Sequence, residues 1–175
     1  MERCFKERTE NSKDHWETPN RIFKLIEKTL HLRFTLDPAS SHTNHKCEKY
    51  YTKKEDGLKQ SWKGEKVFCN PPYKNKDLWI KKGFEEGEHR KTIVVLLIPV
   101  NSDTKIWHQY VMKAQQILFV KGRISFELDG VPQGSPTFAS CIVVFNSVSK
   151  KPKICSFYHK EKDLIKQFCK IEKFL

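Results

Sequence analysis

With 175 residues, 12% aromatic and 31% charged, the chain has the makeup of one globular domain. It is long enough to bury a core, too rich in aromatics to be disordered, and too short for a catalytic domain plus a large separate recognition domain. Lys and Arg outnumber Asp and Glu by 33 to 21, and the net charge of +12 favours a polyanionic partner, although solubility alone also accounts for a charged surface.

Residues 1–13 mix charges without periodicity and lack the apolar centre of a signal peptide, so they are expected to be a flexible lead-in to a single domain over 14–175. Thr18-Pro19 then reads as an N-cap followed by proline at the first helical position, ahead of a face formed by Ile22, Leu25, Ile26, Thr29 and Leu30. Arg33 to Leu36 predicts a short strand whose carboxyl end carries Asp37-Pro38. Polar residues from Ser40 to Lys49 lead to a brief strand at Tyr50 to Thr52 and a charged loop ending at Asp56-Gly57-Leu58. Lys66 to Cys69 predicts a strand and Asp77 to Glu88 a helix, supported by Leu78, Ile80 and Phe84. Thr92 to Val100 is continuously apolar, the pattern of a central strand covered on both faces. Asp103 to Ala114 fits a helix, while Gln116 to Val120 and Arg123 to Leu128 fit two strands joined by a tight hairpin at Lys121-Gly122. A Gly/Pro-rich loop over 129–136 precedes a strand at Phe138 to Phe145, an edge strand at Lys153 to Tyr158 and a basic helix from Lys160 to Lys173.

Strands alternating with helices around a fully apolar run predict an α/β layered sheet. Ligands of such sheets bind beyond the carboxyl ends of the strands, where Asp37, Asp56 and Asn70 are expected to gather. Six cysteines are widely spaced and form no Cys-x-x-Cys pair, so they read as neither a zinc site nor a disulfide framework. Reduced thiols, and the lack of an apolar run long enough to span a membrane, lead to the expectation of a soluble cytoplasmic protein without a metal.

The richest local signal is Asn70-Pro71-Pro72-Tyr73, which follows the apolar run Val67-Phe68-Cys69. Each proline fixes its own φ, has no N–H, and pushes the residue before it out of the helical region. Backbone carbonyls here cannot enter a helix and are left beside the Asn70 amide and the Tyr73 ring. Acceptors next to a stacking face suit a planar ring that carries an amino group. A Pro-Pro pair that merely ends a strand is the plainer alternative.

In this order and spacing, Asp14-His15-Trp16-Glu17-Thr18-Pro19, Leu36-Asp37-Pro38-Ala39, Asn44 with Cys47 and Tyr50, Asp56-Gly57-Leu58, Trp62 with Gly64, Asn70 to Tyr73 with Trp79, and Lys121 to Phe126 resemble the phage-type DNA adenine N6-methyltransferases, the Dam-like family. The resemblance covers roughly residues 14–146. It implies a compact Rossmann-like sheet dependent on S-adenosylmethionine, with helices on both faces. Because the span from Asp37 to Asn70 is short, one strand-helix unit is expected to be reduced. It also implies methyl transfer to the N6 amino group of adenine in DNA. Asn70, Pro71, Pro72 and Tyr73 would grip the amine and stack on the base. Trp16, Thr18, Pro19, Asp37, Pro38, Ala39, Asn44 and Asp56 would line the cofactor. Lys74, Lys76, Lys121 and Arg123 are the candidate DNA contacts, with a solvated basic face as the alternative. The chain departs from many cofactor-binding sheets in having Ser40-Ser41 rather than a glycine-rich turn after Asp37-Pro38-Ala39.

Two other readings remain open at this level. Similar Asn-Pro-Pro-aromatic motifs occur in methyltransferases of RNA bases and of a protein glutamine amide, and a catalytically silent DNA-binding module would keep the same fold. The recognised sequence and the oligomeric state are not encoded in any local pattern.

Overall fold

A computed structural model describes residues 13–146 and 152–160; the lead-in up to residue 12 and the carboxy-terminal helix expected beyond Lys160 lie outside the described residues. Three α-helices are described, α1 (Asn20–Leu30), α2 (Lys76–Gly87) and α3 (Lys105–Gln109). The strands are β1 (Leu36–Asp37), β2 (Lys49–Tyr50), β3 (Lys66–Cys69), β4 (Ile93–Pro99), β5 (Gln116–Lys121), β6 (Glu127–Leu128), β7 (Val131–Pro132), β8 (Ser140–Phe145) and β9 (Lys153–Tyr158). Seven of them form one sheet in the order β2-β1-β3-β4-β8-β5-β9. Every strand in it runs the same way except β8, which is antiparallel to both neighbours. The carboxyl ends of β1, β3, β4, β5 and β9 therefore share one edge of the sheet.

Side chains alternate across the sheet because successive residues of a strand point to opposite faces. Along β4, Val94, Leu96 and Ile98 join Trp79 and Ile80 of α2 and Trp107 of α3 in one core. Val95 and Leu97 join Ile22, Phe23 and Ile26 of α1 in the other. Helices thus cover both faces, and the unbroken apolar run read at Thr92 to Val100 is a strand buried from both sides. Between β1 and β3 the chain makes only the two-residue strand β2 and no helix, so this crossover is reduced to a loop.

Several expectations need correction. Thr18 does not cap α1: Pro19 occupies the N-cap, its carbonyl accepts the Ile22 and Phe23 N–H groups, and no side-chain cap is made. The strand expected over Arg33 to Leu36 shortens to Leu36–Asp37, and the one at Tyr50 to Thr52 shifts to Lys49–Tyr50. Leu78 is 56% exposed, and α2 instead turns Trp79, Ile80, Gly83 and Gly87 inward. The helix expected over Asp103 to Ala114 is five residues of α3 followed by a single 3-10 turn at Val111–Lys113. Lys121-Gly122 closes no hairpin. β5 is already paired with β8 on one side and β9 on the other, leaving no free edge for residues 123–128. The hairpin forms later between β6 and β7, across Asp129 and Gly130, whose φ values of 51° and 74° meet the two-residue turn's need for positive φ at both positions.

Candidate active site

A cavity of about 920 Å³ opens at the carboxyl ends of β1 and β3. Its first wall is a strap formed by residues 14–18, which crosses the sheet edge before α1 begins. Three contacts hold the strap. Glu17 exchanges backbone hydrogen bonds with Glu127 of β6 at 2.8 and 2.9 Å, the Trp16 carbonyl accepts from Asn70 Nδ2 at 2.8 Å, and Asp14 Oδ1 accepts from the Lys74 backbone N–H at 2.9 Å. The Trp16 ring stacks on Phe126, with centroids 5.6 Å apart, and meets Tyr73 edge-on at 6.1 Å. Thr18 is 2% exposed, lines the cavity, and its Oγ1 has no hydrogen-bond partner. With Pro19 in the N-cap position, this buried hydroxyl caps nothing. A buried polar atom without a partner is costly, and a bound ligand is one way to satisfy it.

The second wall is the loop that leaves β1. Asp37, 4% exposed, accepts the Lys46 N–H on Oδ2 at 3.0 Å and the Ala39 N–H on Oδ1 at 3.4 Å. Burial raises its carboxyl to about 6, against the lowering effect of those N–H groups. Pro38, Ala39 and Asn44 belong to the same wall, and Asn44 is fixed by its N–H to Ser41 Oγ at 3.0 Å. Below them the segment Asp56-Gly57-Leu58 closes the floor. A Cβ on Gly57 would lie 2.0 Å from the Pro38 carbonyl oxygen, so only glycine permits this approach. The Gly57 carbonyl accepts from Trp62 Nε1 at 2.9 Å, and Trp62 stacks on Trp79, which lines the cavity. Asp56 pairs with Lys59 at 3.2 Å.

The clamp follows β3. Asn70 and Pro72 line the cavity, while Pro71 is buried behind them. The Asn70 amide has a defined orientation: its partner, the Trp16 carbonyl, can only accept, so the nitrogen must face the strap and Oδ1 is left as an acceptor. Tyr73 begins a single 3-10 turn, does not line the cavity, and packs against Phe138 at 5.3 Å. Burial pushes its hydroxyl above the ordinary range. It also raises the Cys47 and Cys141 thiols to about 12 and that of Cys69 as well, so none of these three is a thiolate at neutral pH.

The family model described as DNA N-6-adenine-methyltransferase (Dam) matches residues 6–169. The chain belongs to this family. Two relatives are the DNA N-6-adenine-methyltransferase of Escherichia phage T1, 32% identical over 119 residues, and that of Haemophilus phage HP1 (strain HP1c1), 29% identical over 117 residues. The alignments cover 67% and 66% of this chain, but 49% and 68% of the relatives, so the match spans about half the length of the phage T1 protein.

In this Dam-family chain, Trp16, Thr18, Asp37, Pro38, Ala39, Asn44, Asp56, Asn70, Pro72 and Lys74 all line one cavity. Pro19, Pro71, Tyr73, Lys76, Lys121 and Arg123 do not. Lys121 ends β5 and Arg123 follows it, on the same sheet edge but further along it, with Lys121 Nζ 5.1 Å from the Tyr158 ring centroid. Sequence reading missed Leu128, which lines the cavity beside Asp129, and the packing of Phe138 against Trp16. Neither side chain carries a local pattern that says which way it faces. Among the described residues no group of three or more His, Cys, Asp or Glu side chains could hold a metal ion, and no helix is long and apolar enough to cross a membrane.

Proposed function

We infer that this chain transfers a methyl group from S-adenosylmethionine to the N6 amino nitrogen of adenine in DNA. The observation that carries the reading is the Asn70 amide, locked by its nitrogen to the strap so that its oxygen is free on the wall of a cavity shared with a buried acid. Family membership and two phage relatives named for this activity support it. So does the mostly parallel sheet with its cavity at the carboxyl edge, an arrangement consistent with a Rossmann-like methyltransferase.

The residues present fit S-adenosylmethionine. The cavity lies within the range of about 300–1,000 Å³ usual for small-molecule sites. The partnerless Thr18 hydroxyl and the Asp37 carboxylate answer the polar and cationic groups of such a cofactor, and Trp79 and Pro38 its flat base. When bound, the cofactor supplies a methyl group made electrophilic by a sulfonium. Thr18, Asp37, Asn44 and Asp56 would hold it, with the backbone of Ala39.

The remaining work falls to the clamp. An adenine amino nitrogen has its lone pair delocalised into the ring, so it must be held in place and relieved of developing positive charge. Asn70 Oδ1 and the Pro71 carbonyl each accept one amino hydrogen. The half-buried Tyr73 ring stacks on the base from outside the cavity. Duplex DNA hides that nitrogen, so the nucleotide leaves the stack at a cost of a few kcal/mol, offset by these contacts. Lys74 and Lys76 after β3, and Lys121 and Arg123 at the end of β5, meet phosphates along the shared edge. Reduced thiols fit work in the cytoplasm of a bacterial cell or a phage-infected host.

The test is to incubate purified protein with methyl-labelled cofactor and, separately, duplex DNA, RNA and protein, then digest and identify the product. N6-methyladenine in DNA is expected. Label confined to RNA or to glutamine would change the substrate, and calorimetry showing no cofactor binding would turn the chain into a silent binding module.

A further inference from the structure

We propose that Asp14 is a positioning residue for the clamp, acting across 60 positions of sequence through the Lys74 backbone N–H. The need for such a residue arises in the clamp itself. Pro71 and Pro72 have no N–H, and the turn Tyr73–Asn75 begins after Pro72 with no side-chain cap of its own. Its early N–H groups therefore have no local acceptor. Asp14 Oδ1 supplies one at 2.9 Å to Lys74, as a capping carboxylate does, but from a distant segment.

The same segment grips the other end of the clamp. Asp14 belongs to the one-turn helix Lys13–His15, and the next residue, Trp16, offers the carbonyl that fixes the Asn70 amide. Residues 14 and 16 thus hold residues 74 and 70, and the proline pair between them contributes no donor. Glu17 anchors the strap to Glu127 just beyond, so the strap does not simply follow the clamp when it shifts. Losing the Asp14 contact releases the Lys74 end. Asn70 is then aimed by its single bond to Trp16, and Tyr73 is placed only by its ring contacts with Trp16 and Phe138. Asp14 does not touch the reacting atoms in this account; it sets where Asn70 and Tyr73 stand.

The proposal rests on reading the clamp as the amine-binding element, and its test separates the two. Wild-type protein, Asp14→Ala and Asp14→Asn are compared in steady-state turnover on adenine-containing duplex and in hydrogen exchange at the Lys74 amide. Asparagine keeps an Oδ1 acceptor, whereas alanine has none. Asp14→Ala is expected to lower kcat about five- to tenfold with the KM for S-adenosylmethionine within about twofold of wild type, and to lose Lys74 protection. Asp14→Asn should restore both. Equal impairment of the two variants, a parallel loss of cofactor affinity, unchanged kcat in Asp14→Ala, or Lys74 still protected in Asp14→Ala would each overturn the proposal. If wild-type protein turns over no DNA, the proposed function fails instead, and the exchange comparison alone decides the tether.

Discussion

At the scale of single residues, the site depends on where polar atoms are left free. Asn70 spends its nitrogen on Trp16 and keeps its oxygen, so Asn70→Ala removes both the aiming bond and the acceptor. Turnover is expected to fall roughly a hundredfold or more, with cofactor affinity by calorimetry little changed. Asp37 gives a pH signature. Its carboxyl rises from 3.8 to about 6 on burial, so between about pH 4 and about pH 6 the folded protein keeps a proton that the unfolded chain has lost. Its contribution to stability therefore declines as pH rises through that window, by about 3 kcal/mol in all. Affinity for a cationic cofactor runs the other way, because it needs the carboxylate. Titration calorimetry should show S-adenosylmethionine binding weaken about tenfold per pH unit below about pH 6, and Asp37→Asn should flatten that dependence.

Elements matter through how closely they approach one another. The loop after β1 and the segment at Asp56-Gly57-Leu58 form two sides of the cavity only because Gly57 lets its backbone touch the Pro38 carbonyl, while Trp62 Nε1 holds it from behind. Gly57→Ala must push these two loops apart. Overpacking of this kind costs about 1–3 kcal/mol, and for a chain of this size each kcal/mol lowers the melting temperature by about 2–4 °C. Thermal melting and cofactor titration should show both a lower midpoint and weaker binding, since Pro38 and Asp56 line the cavity from opposite sides of that contact. Helix α2 follows a similar rule: a Cβ on Gly87 would lie 2.6 Å from Phe145 Cβ, so its inward face includes glycines that carry no hydropathy signal.

For the molecule as a whole, strand direction sorts the charge. With β3 and β5 parallel to β4's direction, Lys74 and Lys76 leave the sheet at the same edge as Lys121 and Arg123. A duplex lying along that edge would contact both groups. Binding should then weaken steeply with salt, and Lys74→Gln and Lys121→Gln should each reduce the slope of log K against log salt by about one. Fluorescence anisotropy over a salt series measures this. An unchanged slope in Lys121→Gln would confine the duplex to the cavity half of the edge.

The sequence alone determined what local chemistry can dictate. Asn70 and Pro71, each followed by a proline, are kept out of the helical region, the run at Thr92 to Val100 demands cover on both sides, and an apolar face from Ile22 to Leu30 forms a helix that packs on the sheet. Tertiary pairing decided what depended on distant partners. Of two turn-forming dipeptides, Lys121-Gly122 and Asp129-Gly130, only the second closes a hairpin, because β8 and β9 had already taken both edges of β5. Thr18 looked like a cap, yet the N-cap position fell to Pro19 and the buried Thr18 hydroxyl was left without a partner. The strap gained its meaning only when folding brought residues 14 and 16 onto 74 and 70. A hydrogen-bond partner that far along the chain leaves no periodicity or spacing in the sequence from which it could be read.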